Sequence, residues 1–160
     1  MANPFLVLGG VAVGVITAGI GVLQVPGWID SANDSSARND LSQVALAEEA
    51  AYTVAGTYIP KADLASGTIT AGPAAGEKTG VKFQPSSGVN TVVAVNAAGD
   101  RWASISVSKS GNVFVRTSDS TTVIKSNAKI TGNVTNAGFT GLPSGVTLGG
   151  TAAAPTITVT

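Results

Sequence analysis

Cysteine and histidine are absent from this 160-residue chain, and aromatic residues make up only 5% of it. Without these two residue types there is no thiol nucleophile, no imidazole base, no disulfide and hardly any way to build a zinc site. The few aromatics do not supply a stacking platform for nucleic acid. We therefore expect neither an enzyme nor a protein with a cofactor or a metal.

The chain also has no excess of either charge, because nine basic residues balance nine acidic ones, and neither kind occurs in blocks. This balance gives no electrostatic footprint for nucleic acid, so no nucleic-acid site is expected. The charges are unevenly placed, however. None precedes Asp30, and residues 5–25 are almost purely apolar.

A helix of about twenty apolar residues is long enough to cross a bilayer, so residues 1–29 are predicted to form an apolar N-terminal helix. Basic flanking residues, which usually accompany a signal peptide or a membrane anchor, are missing. Either a basic leader was removed before Met1, which we favour, or the first residues are simply uncharged. The residues predicted to make the helix contacts are Phe5, Leu6, Leu8, Gly10, Gly14, Ile16, Ala18, Ile20 and Leu23.

Small residues recur every four positions at Gly10, Gly14 and Ala18, a spacing that allows two helices to approach closely. The alternative is that short side chains are merely common in membrane helices. Pro26 and Gly27 follow the apolar run and predict a kink or an interruption of the helix there. If the kink is mild, the two helical stretches form one rod of about 55 residues. Trp28 lies where an interfacial anchor is expected.

A second, amphipathic helix is predicted from Asp34 or Ser35, either of which could be its N-cap, to Gly56. Pro60 is expected to prevent the helix from resuming. Glu48 and Glu49 are expected on a solvated face, because sequence neighbours on a helix diverge by about 100°. The predicted apolar face comprises Leu41, Val44, Ala45, Ala51, Tyr52 and Ala55, with Asp40, Gln43 and Glu49 elsewhere.

Strand patterns replace helix patterns after Pro60. Residues 90–95, 102–107 and 112–117 are predicted to form a three-stranded antiparallel meander, because short Gly-containing turns separate them. The middle segment alternates Ala103, Ile105 and Val107 with two serines. Further short strands are expected at 128–130, 146–148 and 156–160, with Pro155 suited to the start of an edge strand.

Two short polar patterns carry little weight. Asp30, Asn33 and Asp34 offer oxygen ligands but lack the spacing of an EF-hand, so we do not expect a calcium site. Asn133 begins an Asn-Val-Thr triplet, which fits a glycosylation acceptor, although such triplets also arise by chance.

The segment Asn39-Asp40-Leu41, followed by Glu48-Glu49-Ala50-Ala51-Tyr52 and Gly56-Thr57-Tyr58-Ile59-Pro60, resembles the helix end of type IV pilins. Residues 100–112 are similar, more loosely, to the sheet of pilins from Gram-positive bacteria. The resemblance implies an α+β fold in which a long N-terminal helix, apolar and then amphipathic, packs on a small antiparallel sheet. Its parts would be a membrane anchor and filament core (1–29), an amphipathic helix with its end turn (30–60) and a β-rich head (61–160).

The resemblance also implies a function: a structural subunit of an extracellular filament at the cell surface, with a membrane-inserted precursor pool. Its partners would be other copies of the chain, the membrane before assembly, and the pilus assembly machinery. The alternative is a membrane-anchored binding module or adhesin that does not polymerise.

The chain departs from most pilins at position 5, where Phe5 replaces the usual glutamate, and it lacks their C-terminal cysteine pair. With no carboxylate before Asp30, the N-terminal amine has no acidic partner in a neighbouring apolar segment. We therefore expect Met1 to be processed and methylated at its amine, which would be hydrogen-bonded to Asn3 or to backbone carbonyls, or reach a hydrated pocket.

Overall fold

The computed structural model describes the backbone of residues 4–160 and the side chains of residues 26–160. Two α-helices come first, α1 (Pro4–Ala55) and α2 (Lys61–Ser66). Six strands follow, and a 3-10 helix (Asn136–Gly138) precedes the last two. The strands are β1 (Asn90–Val95), β2 (Trp102–Val107), β3 (Val113–Thr117), β4 (Ser120–Lys125), β5 (Val146–Gly150) and β6 (Pro155–Val159). The α+β class is confirmed.

Helix α1 passes through Pro26 and Gly27 without interruption, so the predicted interruption is wrong and the alternative of one continuous helix is the one observed. The predicted N-cap at Asp34 or Ser35 is wrong for the same reason. Ser35 instead donates its hydroxyl to the carbonyl of Ser31 (2.9 Å), one turn back inside the helix. No helix among the residues described is both long and apolar enough to cross a membrane. The apolar stretch that ends at Val25 lies outside the side chains described.

The end of α1 matches its prediction. Gly56 adopts a left-handed conformation (φ 69°), and its N–H bonds the carbonyl of Tyr52 at 2.8 Å. Pro60, however, does not keep the chain from becoming helical again. It has an extended backbone and directly precedes α2, because a proline ring is well tolerated where a helix begins.

Strands β1 to β4 form one antiparallel sheet in sequence order. The first three confirm the predicted meander, with Ile105 opposite both Val92 and Val115. Strand β4 was not predicted. Its first half, Ser-Thr-Thr, reads as a loop, and it becomes a strand by pairing with β3, where Ile124 lies opposite Val115.

The sheet is covered on both faces. Helix α1 lies against β1, β2 and β3 on one face, and the β5–β6 hairpin covers the other, where Ile157 and Val159 pack with Ile105 and Val115. Every residue of β2 is consequently buried. The sequence of β2 alternates apolar and polar residues, and the polar ones, Ser104 and Ser106, face the helix. Serine is small enough to let a helix approach the sheet closely.

The C-terminal predictions hold in part. Strands β5 and β6 confirm two of the three short strands, and β6 begins at Pro155 as expected. The predicted strand at 128–130 is wrong, because only Ser126 makes a single bridge, to Phe139. Residues 128–130 are taken up by the connection to the 3-10 helix, where the N–H of Ile130 bonds the carbonyl of Gly111 at 2.7 Å.

Candidate functional site

Helix α1 has two chemically different sides between Pro26 and Ala55. The inner side faces the sheet and carries the buried residues Ala37, Leu41, Val44, Ala47 and Ala51. The inner side also carries four carboxylates, at Asp30, Asp34, Asp40 and Glu48. Three of them, Asp30, Asp34 and Asp40, are held by residues of the head, and Glu48 is held by Ile59 in the turn after the helix.

Asp34 and Asp30 bind side chains near the start of β3 and the end of β4. Asp34 accepts hydrogen bonds from Ser110 Oγ and from Asn112 Nδ2 (2.8 Å), and Lys125 Nζ lies 3.8 Å away. Burial by itself raises the pKa of Asp34, but its hydrogen bonds, together with Lys125, lower that pKa below the ordinary value. Asp30 forms an exposed ion pair with Lys129 (2.6 Å). No cluster of three or more metal-binding side chains occurs within residues 26–160.

Asp40 is fully buried, contrary to its predicted place away from the core. Its carboxylate accepts bonds from Ser86 N (3.0 Å), Ser86 Oγ (2.6 Å) and Thr91 Oγ1 (3.1 Å). The donors come from a loop and from β1, more than forty residues away in sequence. A buried carboxylate needs this many donors to offset the loss of water.

Glu48 is also fully buried, so its predicted place on a solvated face is wrong. Burial raises the pKa of Glu48 to about 8, although the N–H of Ile59 donates to its Oε2 at 3.0 Å. The other oxygen, Oε1, has no hydrogen-bond partner among the described residues.

The outer side of α1 carries no charge at all. We call this surface the outer strip, and its residues are exposed or half-buried. Trp28 and Leu46 lie about five turns apart on the strip and expose 69% and 66% of their area. The outer strip comprises Trp28, Ile29, Ala32, Ser35, Ser36, Asn39, Gln43, Leu46, Ala50, Thr53 and Val54.

An exposed helix face normally carries lysine, arginine or glutamate. Here the charged residues of the helix are confined to its inner side and its edges, where Arg38 and Glu49 lie. The outer strip also continues a sequence that has no charge before Asp30. Sequence reasoning missed the strip, although the helical spacing of its uncharged residues would have shown it.

The other predicted site residues are distributed as follows. The predicted assembly residues Phe5 to Leu23 and Met1 lie outside the described side chains or outside the described chain. Pro26 and Gly27 are exposed within α1. Asn133 is exposed and makes a single bridge to Thr151, so it is accessible, but nothing further marks it as a glycosylation site.

This chain matches no protein-family model, no curated protein and no solved structure. The outer strip is the feature that most needs a functional explanation.

Proposed function

We propose that this chain is a structural subunit of an extracellular filament similar to a type IV pilus, polymerising through its N-terminal helix. The observation that carries the proposal is the uncharged side of α1. It extends from the charge-free first 29 residues to Val54, over nearly the whole 52-residue helix.

A helix side of this kind suits contact with other copies of the same helix. Alanine, serine and asparagine keep the side chains short, so neighbouring backbones can approach closely. Trp28, Ile29 and Leu46 add apolar area that is exposed in the single chain. Uncharged residues carry little desolvation cost when a neighbour covers them, whereas a charged residue would need a partner.

The inner side supports the same proposal. Three of its carboxylates, at Asp30, Asp34 and Asp40, bind the head to the C-terminal half of α1. A head fixed to this half of a long helix fits a subunit whose helix enters a filament core. In this proposal the helix rests in the membrane before assembly, and separate assembly machinery supplies the energy.

The test is assembly of the full-length chain at the cell surface, observed by electron microscopy and by sedimentation of sheared material. We expect helical filaments from the unaltered chain. Trp28→Lys and Asn39→Lys, both on the outer strip, should reduce sedimented filaments by about tenfold or more, because each variant buries an unpaired ammonium between helices.

The matched control is Ala137→Lys, which introduces the same charge at an exposed site of the 3-10 helix and should leave assembly unchanged. All three variants should melt within about 2 °C of the unaltered protein, since exposed substitutions rarely alter stability. Normal filaments from both strip variants would contradict the role of the strip. A chain that stays monomeric in the membrane would instead support the non-polymerising binding module.

A further inference from the structure

A groove of about 470 Å³ lies between α1 and the β3–β4 turn. Its apolar part is formed by Ala45, Leu46 and Trp102, and hydroxyl groups of Ser42, Ser120 and Thr121 surround it. Charged residues stand on two walls, Arg116 from β3 and Glu49 from α1. No ion pair joins these two side chains, so the groove retains both charges.

Polar atoms in the walls of the groove lack partners. Trp102 Nε1, Arg116 Nε and Thr117 Oγ1 are buried and form no hydrogen bond within residues 26–160. Buried donors are nearly always satisfied in folded proteins, and each exception needs an explanation. Of these three, only Arg116 Nε belongs to a charged group, so Arg116 is the side chain of the groove wall whose charge no group of the described chain meets.

Arg116 is the strongest indication of what the occupant is. Two half-buried cations have no acidic partner in the described chain, and of these Lys61 donates to the carbonyl of Thr91, whereas Arg116 Nε has no hydrogen-bond partner. A guanidinium in this position binds a carboxylate in a two-pronged geometry better than any other group. The exposed, unpaired cations are Arg38, Lys78, Lys82 and Lys109.

Among the acidic side chains of the described residues, one has neither a hydrogen bond nor an ion pair. Glu77 is exposed and has no side-chain hydrogen bond or ion pair within residues 26–160. The other eight acidic side chains each accept at least one hydrogen bond.

The loop that carries Glu77 is suited to enter a groove. Its preceding residues, 71–76, are alanine, glycine and proline, and Gly72 and Gly76 have open space where a side chain would project. Lys78 follows directly, so the loop presents one acid and one base, matching the base and acid on the groove walls.

We infer that the groove receives the 71–77 loop of a second copy of this chain, with Glu77 paired to Arg116. The inference rests on the proposed function and adds a contact between heads to the contact between helices. Groove and loop are different surfaces, so the contact is head-to-tail, and repeating it extends a helical array rather than closing a dimer.

Charge reversal in the full-length chain tests this pairing. Arg116→Glu and Glu77→Arg should each reduce sedimented filaments by about tenfold, because like charges then meet at the contact. The double variant should return filaments to within about twofold of the unaltered chain. The control Lys109→Glu reverses an exposed, unpaired charge outside the groove and should leave assembly unchanged.

Cross-linking gives a second measurement, which does not depend on Arg116→Glu folding. The natural chain has no cysteine, so a chain with Thr121→Cys and Ala75→Cys should form a ladder of disulfide-linked oligomers only when assembled. Either cysteine alone should give no ladder. We expect the ladder to disappear on reduction and when Glu77→Arg is added.

Filaments that form equally in the unaltered chain and in both single reversals, without a ladder, would overturn this inference and leave the proposed function standing. Loss of filaments in both single variants without rescue in the double would also overturn it, because another occupant would then fill the groove. If the unaltered chain forms no filaments at all, the proposed function fails first.

Discussion

The inner and outer sides of α1 share one helix and differ in where charge is placed. On the inner side, Asp34 and Asp40 are held by groups of the head and Glu48 by the turn after the helix, whereas the outer strip has no charged residue from Trp28 to Val54. Burying a carboxylate is tolerable when donors from the same chain meet it. A surface that meets a different chain gains from having no charge that needs a partner. In the proposed filament, this difference separates an inner side that serves folding from an outer side that serves association.

The largest expected effect comes from replacing one leucine by alanine on each side of α1 and comparing the two costs. Leu41 is fully buried and Leu46 is 66% exposed. Leu41→Ala should cost about 2–5 kcal/mol of unfolding free energy, because it removes buried methyl groups and leaves a cavity. Leu46→Ala should change the unfolding free energy by no more than about 0.5 kcal/mol. Urea unfolding followed by circular dichroism measures both, and equal costs would contradict the distinction between the sides.

The next largest effect is expected at Glu48, an inner-side carboxylate whose pKa is raised. Its pKa is about 8 in the folded chain against 4.5 in the unfolded chain, so the folded state holds the proton more tightly. The penalty for ionising Glu48 is absent below pH 4.5 and grows until pH 8, so stability falls as pH rises through this range. Glu48→Gln should therefore stabilise the protein at pH 8 by a few kcal/mol and remove much of this slope.

Glu49→Gln is the control for that prediction, because Glu49 is exposed beside Glu48 on the same helix. Its unfolding free energy should keep most of the pH dependence of the unaltered protein, because burial is a larger cause of the raised pKa of Glu48 than the charge of Glu49. Unfolding curves at several pH values between 4 and 9 supply the comparison. A Glu48→Gln variant that is as sensitive to pH as the original would show that Glu48 is already ionised in the folded state.

A smaller effect of the opposite sign is expected at Asp34. Because its folded pKa is lowered, ionised Asp34 contributes stability above the ordinary pKa of 3.8, and this contribution is lost as pH falls. Asp34→Asn should cost about 1 kcal/mol at pH 7 and flatten the acid limb of the stability curve. Thermal melts at pH 7 and pH 3 would reveal this, and an unchanged acid limb would argue against the role of Asp34.

The smallest effect is expected at Asp30, whose pair with Lys129 is exposed on both partners. Asp30→Asn should change the unfolding free energy by less than about 1 kcal/mol, and added salt should erase the difference, since water and ions screen exposed pairs. Unfolding measured at low and high salt provides the check. A cost above that of Asp34→Asn would reverse the ranking of the two sites.

Much of the fold could be read from the sequence where the signal was local. Strands β1, β2 and β3 follow from β-branched segments separated by turns, and the end of α1 follows from Gly56. Predictions failed where a local signal was overridden. Pro26 and Asp34 looked like a break and a cap, yet helical geometry continues through both. Strand β4 was missed because Ser120, Thr121 and Thr122 carry a strand pattern too weak to stand without its partner strand.

The candidate surfaces divide in the same way. The sequence alone showed that charge is absent before Asp30, and it excluded catalysis that needs histidine or cysteine. It could not show that Glu48 is buried, since Glu48 and Glu49 are neighbours with opposite surroundings. The groove, likewise, brings α1 together with residues near Arg116, some seventy positions later, and no local pattern predicts that meeting.

By itself, then, the sequence determined composition, local propensity and the distribution of charge along the chain. These properties depend on neighbours within a few residues, and they predicted the α+β class, the meander and the uncharged N-terminal segment. The tertiary structure decided which side of α1 is covered, which carboxylates find donors and where unpaired polar atoms collect. Those outcomes depend on contacts between distant segments, and burial changes the free energy of a charge far more than any local preference does.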